Sequence, residues 1–303
     1  MKRATIAVLL TVCAMLSLQA QNANPLKEDV LNDLSKALLK PNDVTQLSLR
    51  DQSYYYMPKD ISKLKNLVFL NLMGNNLEDW GASIFNLNKL EVLNLQQNEL
   101  PYISKDMSKL KELIRLNVSS NKLKEVPEAI GDLKELRFLH LSFNNIIQVN
   151  ASISKCHNLE SLEIDNNQLS FLPKEMAELK KLKNLNLGYN QFHEFETTWF
   201  RLTQLESLNL ENNKLKRIPV SIKELKSLKT LILSDNELTE LPDEITQLDK
   251  LELLILSKNK IKNLPQNIAE LKSLRTLILV GNPISKAEKE EVKKALPECK
   301  IYW

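Results

Sequence analysis

Asparagine recurs along this chain at a fixed interval of 23 residues. The positions are Asn75, Asn98, Asn121, Asn144, Asn167, Asn190, Asn213, Asn236, Asn259 and Asn282. Gln52 stands in phase before them, and no insertion breaks the interval. A period of this length is the signature of a repeat architecture in which each unit packs only on its neighbours. The sequence therefore predicts eleven such units, called coils below.

Each coil carries one apolar pattern, Leu-x-x-Leu-x-Leu-x-x-Asn-x-Leu, usually followed by Leu-Pro-x-x-Ile-x-x-Leu. In Leu-x-Leu both leucines are expected to enter a core while the residue between them faces outward, because side chains alternate along a strand. Ile222 and Leu225 are three residues apart, a spacing that predicts a helical turn. Pro219 suits the start of that turn, where its missing N–H would have no partner. The Asn side chains are expected to bind backbone groups that the bend leaves unpaired.

This pattern resembles the leucine-rich repeat over nearly everything after the first twenty residues. The flanks DLSKALLKPNDVTQLSL and ISKAEKEEVKKALPECKIYW are similar to the ends of exported bacterial proteins with 23-residue leucine-rich repeats, notably those of spirochaetes. The resemblance implies an α/β fold: a right-handed horseshoe-shaped solenoid. It implies a parallel sheet on the concave side, short helical or 3-10 turns on the convex side, and a non-catalytic binding role.

The first twenty residues predict export. Lys2 and Arg3 precede an apolar run from Ala4 to Leu18, which suits a secretory signal peptide at 1–20 and is too short to span a bilayer. A buried N-terminal helix is the alternative. The mature chain is expected in the periplasm, on the cell surface or secreted, with no integral membrane span. A net charge of only +3 gives no field to gather nucleic acid, so no nucleic-acid partner is expected.

Both ends of a solenoid need a cap, because the outermost coil has only one neighbour. Residues 21–43 predict a helical N-terminal cap, residues 44–284 hold the eleven coils, and residues 285–303 predict a C-terminal cap. The C-terminal cap is expected to combine a short helix with a closing strand, CKIYW. The apolar face of the N-terminal cap is predicted to consist of Leu26, Val30, Leu31, Leu34 and Leu38.

The sequence indicates no catalysis and no cofactor. The four segments leave no stretch of catalytic-domain size, and no Ser-His-Asp set, Gly-rich phosphate loop or zinc-spaced Cys pair is visible. Cys156 takes a core Leu position and Cys299 lies about six coils away, too far for a disulfide, so two buried thiols are expected. His140, Glu163 and Asp165 lie on neighbouring strands, where a solvated His beside an acid is favoured over a weak metal site.

The strand face of the solenoid is the expected binding surface, because repetition builds one extended platform there. The residue between the two leucines is Asn in most coils but Ile in the last three, where we expect an exposed aliphatic strip. The face divides into an apolar and aromatic zone, an acidic middle that includes Glu160, Glu206 and Glu211, and this aliphatic zone. The predicted partner-binding residues are Phe69, Met73, Val92, Phe138, Glu163, Asp165, Ile232, Leu253, Ile255, Ile278 and Val280.

The aliphatic zone has two interpretations: a patch that a partner covers, or cross-strand stacking that stabilises the last coils. Tyr56, Tyr102 and Phe171 share an outward position where the strand ends, which indicates a second contact site at the rim. The predicted function is protein–protein interaction at the bacterial cell envelope or exterior, with a protein partner such as a host surface protein. The alternative is a structural envelope protein that self-associates, for example as a homodimer, through the same apolar patch.

Overall fold

A parallel sheet of twelve three-residue strands runs the length of the molecule. The structure is a computed structural model that describes residues 29–303, so the predicted signal peptide and Leu26 lie outside the described residues. The strands of this sheet are β1 Gln46–Ser48, β2 Phe69–Asn71, β3 Val92–Asn94, β4 Arg115–Asn117, β6 Phe138–His140, β8 Ser161–Glu163, β9 Asn184–Asn186, β10 Ser207–Asn209, β11 Thr230–Ile232, β12 Leu253–Ile255, β13 Thr276–Ile278 and β14 Lys300–Tyr302.

Neighbouring strands pair residue for residue, so equivalent residues of successive coils stand in straight columns. Asn209 pairs with Ile232, which pairs with Ile255, and Ile278 pairs with Tyr302 of the closing strand. The apolar residues on either side of the central residue are buried in every coil; they are leucines except Val118 and Ile164. The predicted leucine-rich repeat solenoid with a parallel concave sheet is thereby confirmed.

Short 3-10 turns form the side opposite the sheet, as predicted. Pro219 precedes one of them, Val220–Glu224, whose Ile222 is fully buried. A second, two-stranded parallel sheet, β5 Glu125–Val126 and β7 Gln148–Val149, lies in the turn regions of coils 4 and 5. The other 3-10 turns are Lys59–Lys63, Ile84–Asn86, Lys105–Lys109, Glu128–Asp132, Ala151–Lys155, Lys174–Glu178, Thr197–Arg201, Asp243–Gln247 and Ile268–Glu270.

The repeated Asn side chains tie each coil to its neighbours. The Nδ2 of Asn167 donates to the carbonyls of Leu141 at 3.0 Å and Ile164 at 3.1 Å. Its Oδ1 accepts from the backbone N–H of Ile146 at 2.9 Å. Asn98 and Asn259 make the equivalent three bonds near the two ends of the solenoid. The predicted structural role of the Asn column is confirmed, because each side chain satisfies backbone groups of two coils.

The N-terminal cap contains less helix than predicted. Helix α1 spans only Leu34–Ala37, where Asp33 caps it by accepting from the N–H of Lys36. Leu31, expected on the same helical face, instead forms a parallel bridge with Leu47. Its N–H donates to the carbonyl of Gln46. Extended backbone is favoured here because Leu31 then exchanges hydrogen bonds with Gln46 and Ser48 at the outer edge of β1, which a helix could not do.

The C-terminal cap has both expected elements. Helix α2 spans Lys286–Ala295 and begins after Ser285, whose side chain accepts from the N–H of Glu288. Val292 and Leu296 are buried against the last coil. The CKIYW stretch supplies β14, which adds a twelfth strand to the sheet. The last repeat therefore packs against both a helix and a strand.

Candidate functional site

Three columns of side chains line the concave face of the sheet. The central column is the residue between the two leucines, and the first and last columns lie two residues before and after it. Every predicted partner-binding residue belongs to one of these columns. The central column consists of Ser48, Asn71, Asn94, Asn117, His140, Glu163, Asn186, Asn209, Ile232, Ile255 and Ile278.

The apolar and aromatic zone is partly open to solvent. Phe69 and Val92 are paired on β2 and β3, and both are half-buried, as is Phe138 on β6. Arg115 stands between Val92 and Phe138 in the first column, with its guanidinium carbon 4.5 Å from the centre of the Phe138 ring. Desolvation lowers the pKa of Arg115, although the nearby Glu163 opposes that shift. This zone thus offers apolar surface with a cation stacked within it.

The acidic middle is smaller than predicted, because two of its carboxylates are paired. Glu160 accepts from Arg137 Nε at 2.7 Å and Lys183 Nζ at 3.0 Å. Burial alone would raise the pKa of Glu160, but these two bonds outweigh it and lower that pKa. Glu206 accepts from Lys229 at 2.7 Å. Both acids belong to a column of alternating charge at the starts of the strands: Arg137, Glu160, Lys183, Glu206, Lys229, Glu252 and Arg275.

His140 is buried, and the expectation of a solvated His beside an acid is wrong on that point. His140 is 3% exposed, and its Nδ1 lies 2.9 Å from Glu163 Oε2. The side chains of Asn117 and Glu163 on the paired strands flank it. Only one strand spacing, about 4.8 Å, separates neighbours in a column, so adjacent side chains cover one another.

Asp165 is held by donors rather than left free for a cation. Its two carboxylate oxygens accept from Ser142 Oγ, Asn166 Nδ2 and Asn186 Nδ2. Burial raises the pKa of Asp165, and the bonds from Ser142 and Asn166 partly offset that rise. Across residues 29–303 the structure contains no group of three or more His, Cys, Asp or Glu side chains arranged to hold a metal ion.

The aliphatic strip is not exposed, which corrects the prediction for its central column. Ile232 and Ile255 are each 2% exposed and Ile278 is 1% exposed. They form a small core of their own on the concave side, separate from the main core. The alternation of a strand placed these side chains on the correct side of the sheet, but neighbours one strand away cover them. The stacking interpretation accounts for these isoleucines, because their burial leaves almost no isoleucine surface for a partner or a second copy to contact.

Three partly buried side chains close this small core: Leu253, Val280 and Tyr302. Tyr302 was not predicted as a member of this face. The predicted closing strand was the sequence signal that could have placed Tyr302 on this face, because residue 302 pairs with Ile278 when β14 joins the sheet. The aliphatic zone therefore presents Leu253 and Val280 to solvent, with Tyr302 at its C-terminal end.

The cysteines agree only in part with expectation. Cys156 is fully buried, with Sγ 3.1 Å from the carbonyl of Ile130. Cys299 is only partly buried, contrary to the prediction, because it lies at the end of the C-terminal cap. Burial raises the pKa of each thiol to about 11. Both side chains are therefore protonated near neutral pH and are poor nucleophiles.

The rim residues Tyr56, Tyr102 and Phe171 are exposed, as the sequence indicates. Tyr102 is anchored, since its hydroxyl donates to Asp79 Oδ1 at 2.6 Å and its carbonyl accepts from Trp80 Nε1. The bond to Asp79 raises the pKa of Tyr102. Further exposed apolar side chains near this rim were not predicted: Tyr55, Phe143, Ile147 and Tyr189.

Glu211→Gln is expected to stabilise the protein at neutral pH. Burial is the largest cause that raises the pKa of Glu211; Asp235 adds to the rise and Lys258 opposes it. A raised folded pKa means that folding disfavours the ionised form, so this group begins to cost stability as pH rises above its unfolded pKa and costs most above its folded pKa. Urea unfolding at several pH values should show a gain for Gln at pH 7 that disappears as pH falls below the pKa of the carboxyl in the unfolded chain. A gain that is independent of pH would contradict this account.

The stacked parallel strands, the Asn column and the 3-10 turns define a leucine-rich repeat protein. Residues 12–168 and 197–297 match the family model described as "Leucine-rich repeat region", and the chain belongs to that family. No curated protein matches the chain. Within residues 29–303 the helices are too short or too polar to cross a membrane.

Several solved structures are similar to the chain. A leucine-rich repeat protein of Leptospira interrogans is 29% identical, covers 91% of this chain and 100% of its own, and has a TM-score of 0.54. An internalin of Listeria monocytogenes is 21% identical over 86% of this chain and 81% of its own, with a TM-score of 0.71. The Arabidopsis receptor kinase HAESA ectodomain, solved with a peptide hormone, is 27% identical over 74% of this chain and 40% of its own, with a TM-score of 0.65.

Proposed function

We propose that this chain is a non-catalytic binding module that engages a protein partner through its concave face. The observation that carries the proposal is the partly exposed apolar and aromatic zone of Phe69, Met73, Val92 and Phe138, beside the carboxylates of the acidic middle. These side chains lie on or just after strands β2, β3 and β6, whose core leucines already stabilise the coils. Apolar and aromatic side chains flanked by charge are typical of a recognition surface. The peptide bound by the similar HAESA ectodomain supports a polypeptide as the ligand class.

The proposal shifts the main contact toward the N-terminal half of the face. Ile232, Ile255 and Ile278 are covered by their neighbours, so only Leu253 and Val280 represent the aliphatic zone at the surface. In the middle, Glu163 is partly exposed beside the buried His140. Glu160 and Glu206 are already paired with cations of the chain itself, so Glu163 is the carboxylate that a partner would meet. A partner with apolar side chains and a basic group fits this arrangement.

The proposal includes export to the cell envelope or exterior by residues 1–20, on the pattern of a basic start and an apolar run. We also propose that the chain divides into a leader at 1–20, a cap at 21–43, eleven coils at 44–284 and a cap at 285–303. We propose in addition that the chain is a leucine-rich repeat protein of the spirochaete type, which the similarity to the Leptospira protein supports.

A triple variant tests the concave face without altering its framework. Phe69→Ser, Val92→Thr and Phe138→Ser introduce residues that the first column already carries at Ser207 and Thr230. The chain is immobilised, and proteins captured from envelope and culture-supernatant fractions are identified by mass spectrometry. We expect the triple variant to capture the specific partner about tenfold or more weakly, since buried aromatic contacts dominate such interfaces.

Leu253→Ser is the matched control, because Leu253 belongs to the same column at the other end of the sheet. Its capture is expected to stay within about twofold of the unaltered chain. Unchanged capture by the triple variant, with an unchanged circular dichroism spectrum, would exclude the N-terminal zone as the contact surface.

A further inference from the structure

One cation stands alone on the N-terminal half of the concave face. In coils 2–5 the three columns contain Phe69, Asn71, Met73, Val92, Asn94, Gln96, Arg115, Asn117, Ser119, Phe138, His140 and Ser142. Arg115 is the only Lys, Arg, Asp or Glu among them. The next charged residues along the columns are Arg50 in coil 1 and Glu163 and Asp165 in coil 6. A single positive charge is thus set into a surface that otherwise consists of apolar and neutral polar side chains.

The guanidinium of Arg115 lacks a partner of opposite charge. Within residues 29–303 it makes no ion pair and finds no hydrogen-bond acceptor, although the side chain is partly buried and its Nη1 is enclosed. Buried polar groups in proteins are nearly always hydrogen-bonded, so an enclosed donor without an acceptor requires a reason. A charged donor that loses water without gaining a partner costs free energy. The fold therefore bears a cost at Arg115 that a bound acceptor would remove.

Neighbouring charges do not replace that partner. Glu163 attracts Arg115 from two coils away, but one of its carboxylate oxygens already lies 2.9 Å from His140 Nδ1. Arg137 repels Arg115, and its own charge is paired with Glu160. Desolvation is the largest influence on the pKa of Arg115 and lowers it, so burial opposes the positive charge more strongly than Glu163 supports it. The guanidinium stays charged, because the pKa of Arg lies far above neutral pH.

Phe138 holds this cation in place. The guanidinium carbon of Arg115 lies over the Phe138 ring, 4.5 Å from its centre, where cation–π attraction restricts the long side chain. The N–H groups of a guanidinium lie along the edge of its plane, and they are the donors that bind a carboxylate. Because the side chain is restricted before a ligand arrives, binding costs less conformational entropy.

We propose that Arg115 binds the carboxylate of an Asp or Glu side chain of the protein partner, with Phe69, Val92 and Phe138 around the bound group. This role rests on the proposed function, because it names the group by which the concave face recognises its partner. The two oxygens of a carboxylate match parallel N–H groups of the guanidinium. A phosphate group fits less well, because it carries up to two negative charges and Arg115 is a single cation with Glu163 nearby.

A library of short peptides tests Arg115 as the carboxylate site. The peptides are acetylated and amidated at their ends, carry Glu, Gln or Lys at a fixed central position, and have random residues on both sides. The chain is immobilised, and the bound peptides are identified by mass spectrometry. We expect the chain to enrich peptides with central Glu. The best of these should bind about tenfold more tightly than its Gln counterpart in fluorescence anisotropy. Glu and Gln have nearly the same shape, so this ratio of affinities isolates the effect of charge.

Arg115→Gln should reduce the Glu-to-Gln ratio to about one, because it removes the charge that distinguishes the two peptides. Arg115→Lys should keep part of the ratio, since Lys retains the charge without the paired N–H groups. Arg137→Gln is the matched control: its guanidinium carbon lies 5.6 Å from the centre of the same Phe138 ring, but its charge is paired with Glu160. The ratio for this control should stay within about twofold of the unaltered chain.

Failure to enrich any peptide, enrichment of Gln or Lys peptides in place of Glu, or an unchanged ratio in Arg115→Gln would overturn the carboxylate site. If thermal unfolding shows that Arg115→Gln is destabilised by several degrees, the ratio is read from Arg115→Lys, where a value equal to that of the unaltered chain contradicts the proposal. Enriched peptides without an acidic preference, lost in the triple variant of Phe69, Val92 and Phe138, would sustain the concave face as the binding surface and remove only the carboxylate.

Discussion

Asn167→Ala is expected to lower the free energy of unfolding by about 3–5 kcal/mol. The substitution removes the acceptor for the N–H of Ile146 and the donor to the carbonyls of Leu141 and Ile164. These groups lie inside the stack of coils, where each unsatisfied backbone group costs about 1–3 kcal/mol. A central coil has neighbours on both sides, so the loss weakens two contacts between coils at once.

Urea unfolding followed by circular dichroism measures this effect, with hydrogen exchange as a local readout. Asn145→Ala is the matched control, because Asn145 is exposed in the adjacent coil and its Oδ1 accepts only a long bond of 3.5 Å from Gln168. We expect the control to change stability by less than about 0.5 kcal/mol. Exchange of the Ile146 amide should accelerate only in Asn167→Ala. Equal losses in the two variants would show that the Asn column does not hold the coils together.

Ile255→Glu should also be strongly destabilising, by about 3 kcal/mol or more. Ile255 stacks between Ile232 and Ile278 and is 2% exposed, so the substitution removes buried apolar contacts and places a carboxylate among aliphatic side chains. For a chain of this size the loss corresponds to a fall in melting temperature of roughly 6–12 °C. A surface patch held open for a partner would give a much smaller change.

Leu253→Glu separates these two outcomes, because Leu253 lies on the same strand two residues earlier and is only half-buried. Its carboxylate can reach water, so its effect is expected to be less than half that of Ile255→Glu. Thermal unfolding of the two variants side by side gives the comparison. Similar, small changes in both would mean that the isoleucines are accessible after all, and would restore the aliphatic strip as a contact surface.

The repeat made the fold predictable, because one pattern is written eleven times and each copy supports the same register. The Asn interval identified the residues that bind backbone groups, and the alternation in Leu-x-Leu identified the side of the sheet on which Ile255 lies. The cap at the N-terminus was less predictable. Leu31 is compatible with a helical face, but backbone pairing at the outer edge of β1 places it in an extended bridge with Leu47.

The candidate site was predicted in position but not in exposure. Sequence periodicity reports the direction of a side chain and says nothing about how closely neighbours in the next coil cover it. Phe69 and Val92 remain partly open, whereas His140 and Ile255 are covered, although all four were expected to face outward. The exposed rings of Phe143 and Tyr189 were missed, since they stand at turn positions outside the leucine pattern.

The sequence by itself determined that this chain is a leucine-rich repeat solenoid with a parallel sheet, an Asn column and a core of leucines, because each of these follows from local spacing. Only the tertiary structure decided which outward side chains reach solvent. Columns form when coils stack about 4.8 Å apart, and that distance lets branched side chains such as Ile255 bury one another. The isoleucines therefore stabilise the last coils, and the apolar side chains that stay open to solvent lie mainly in the N-terminal zone and at the edge where the strands end.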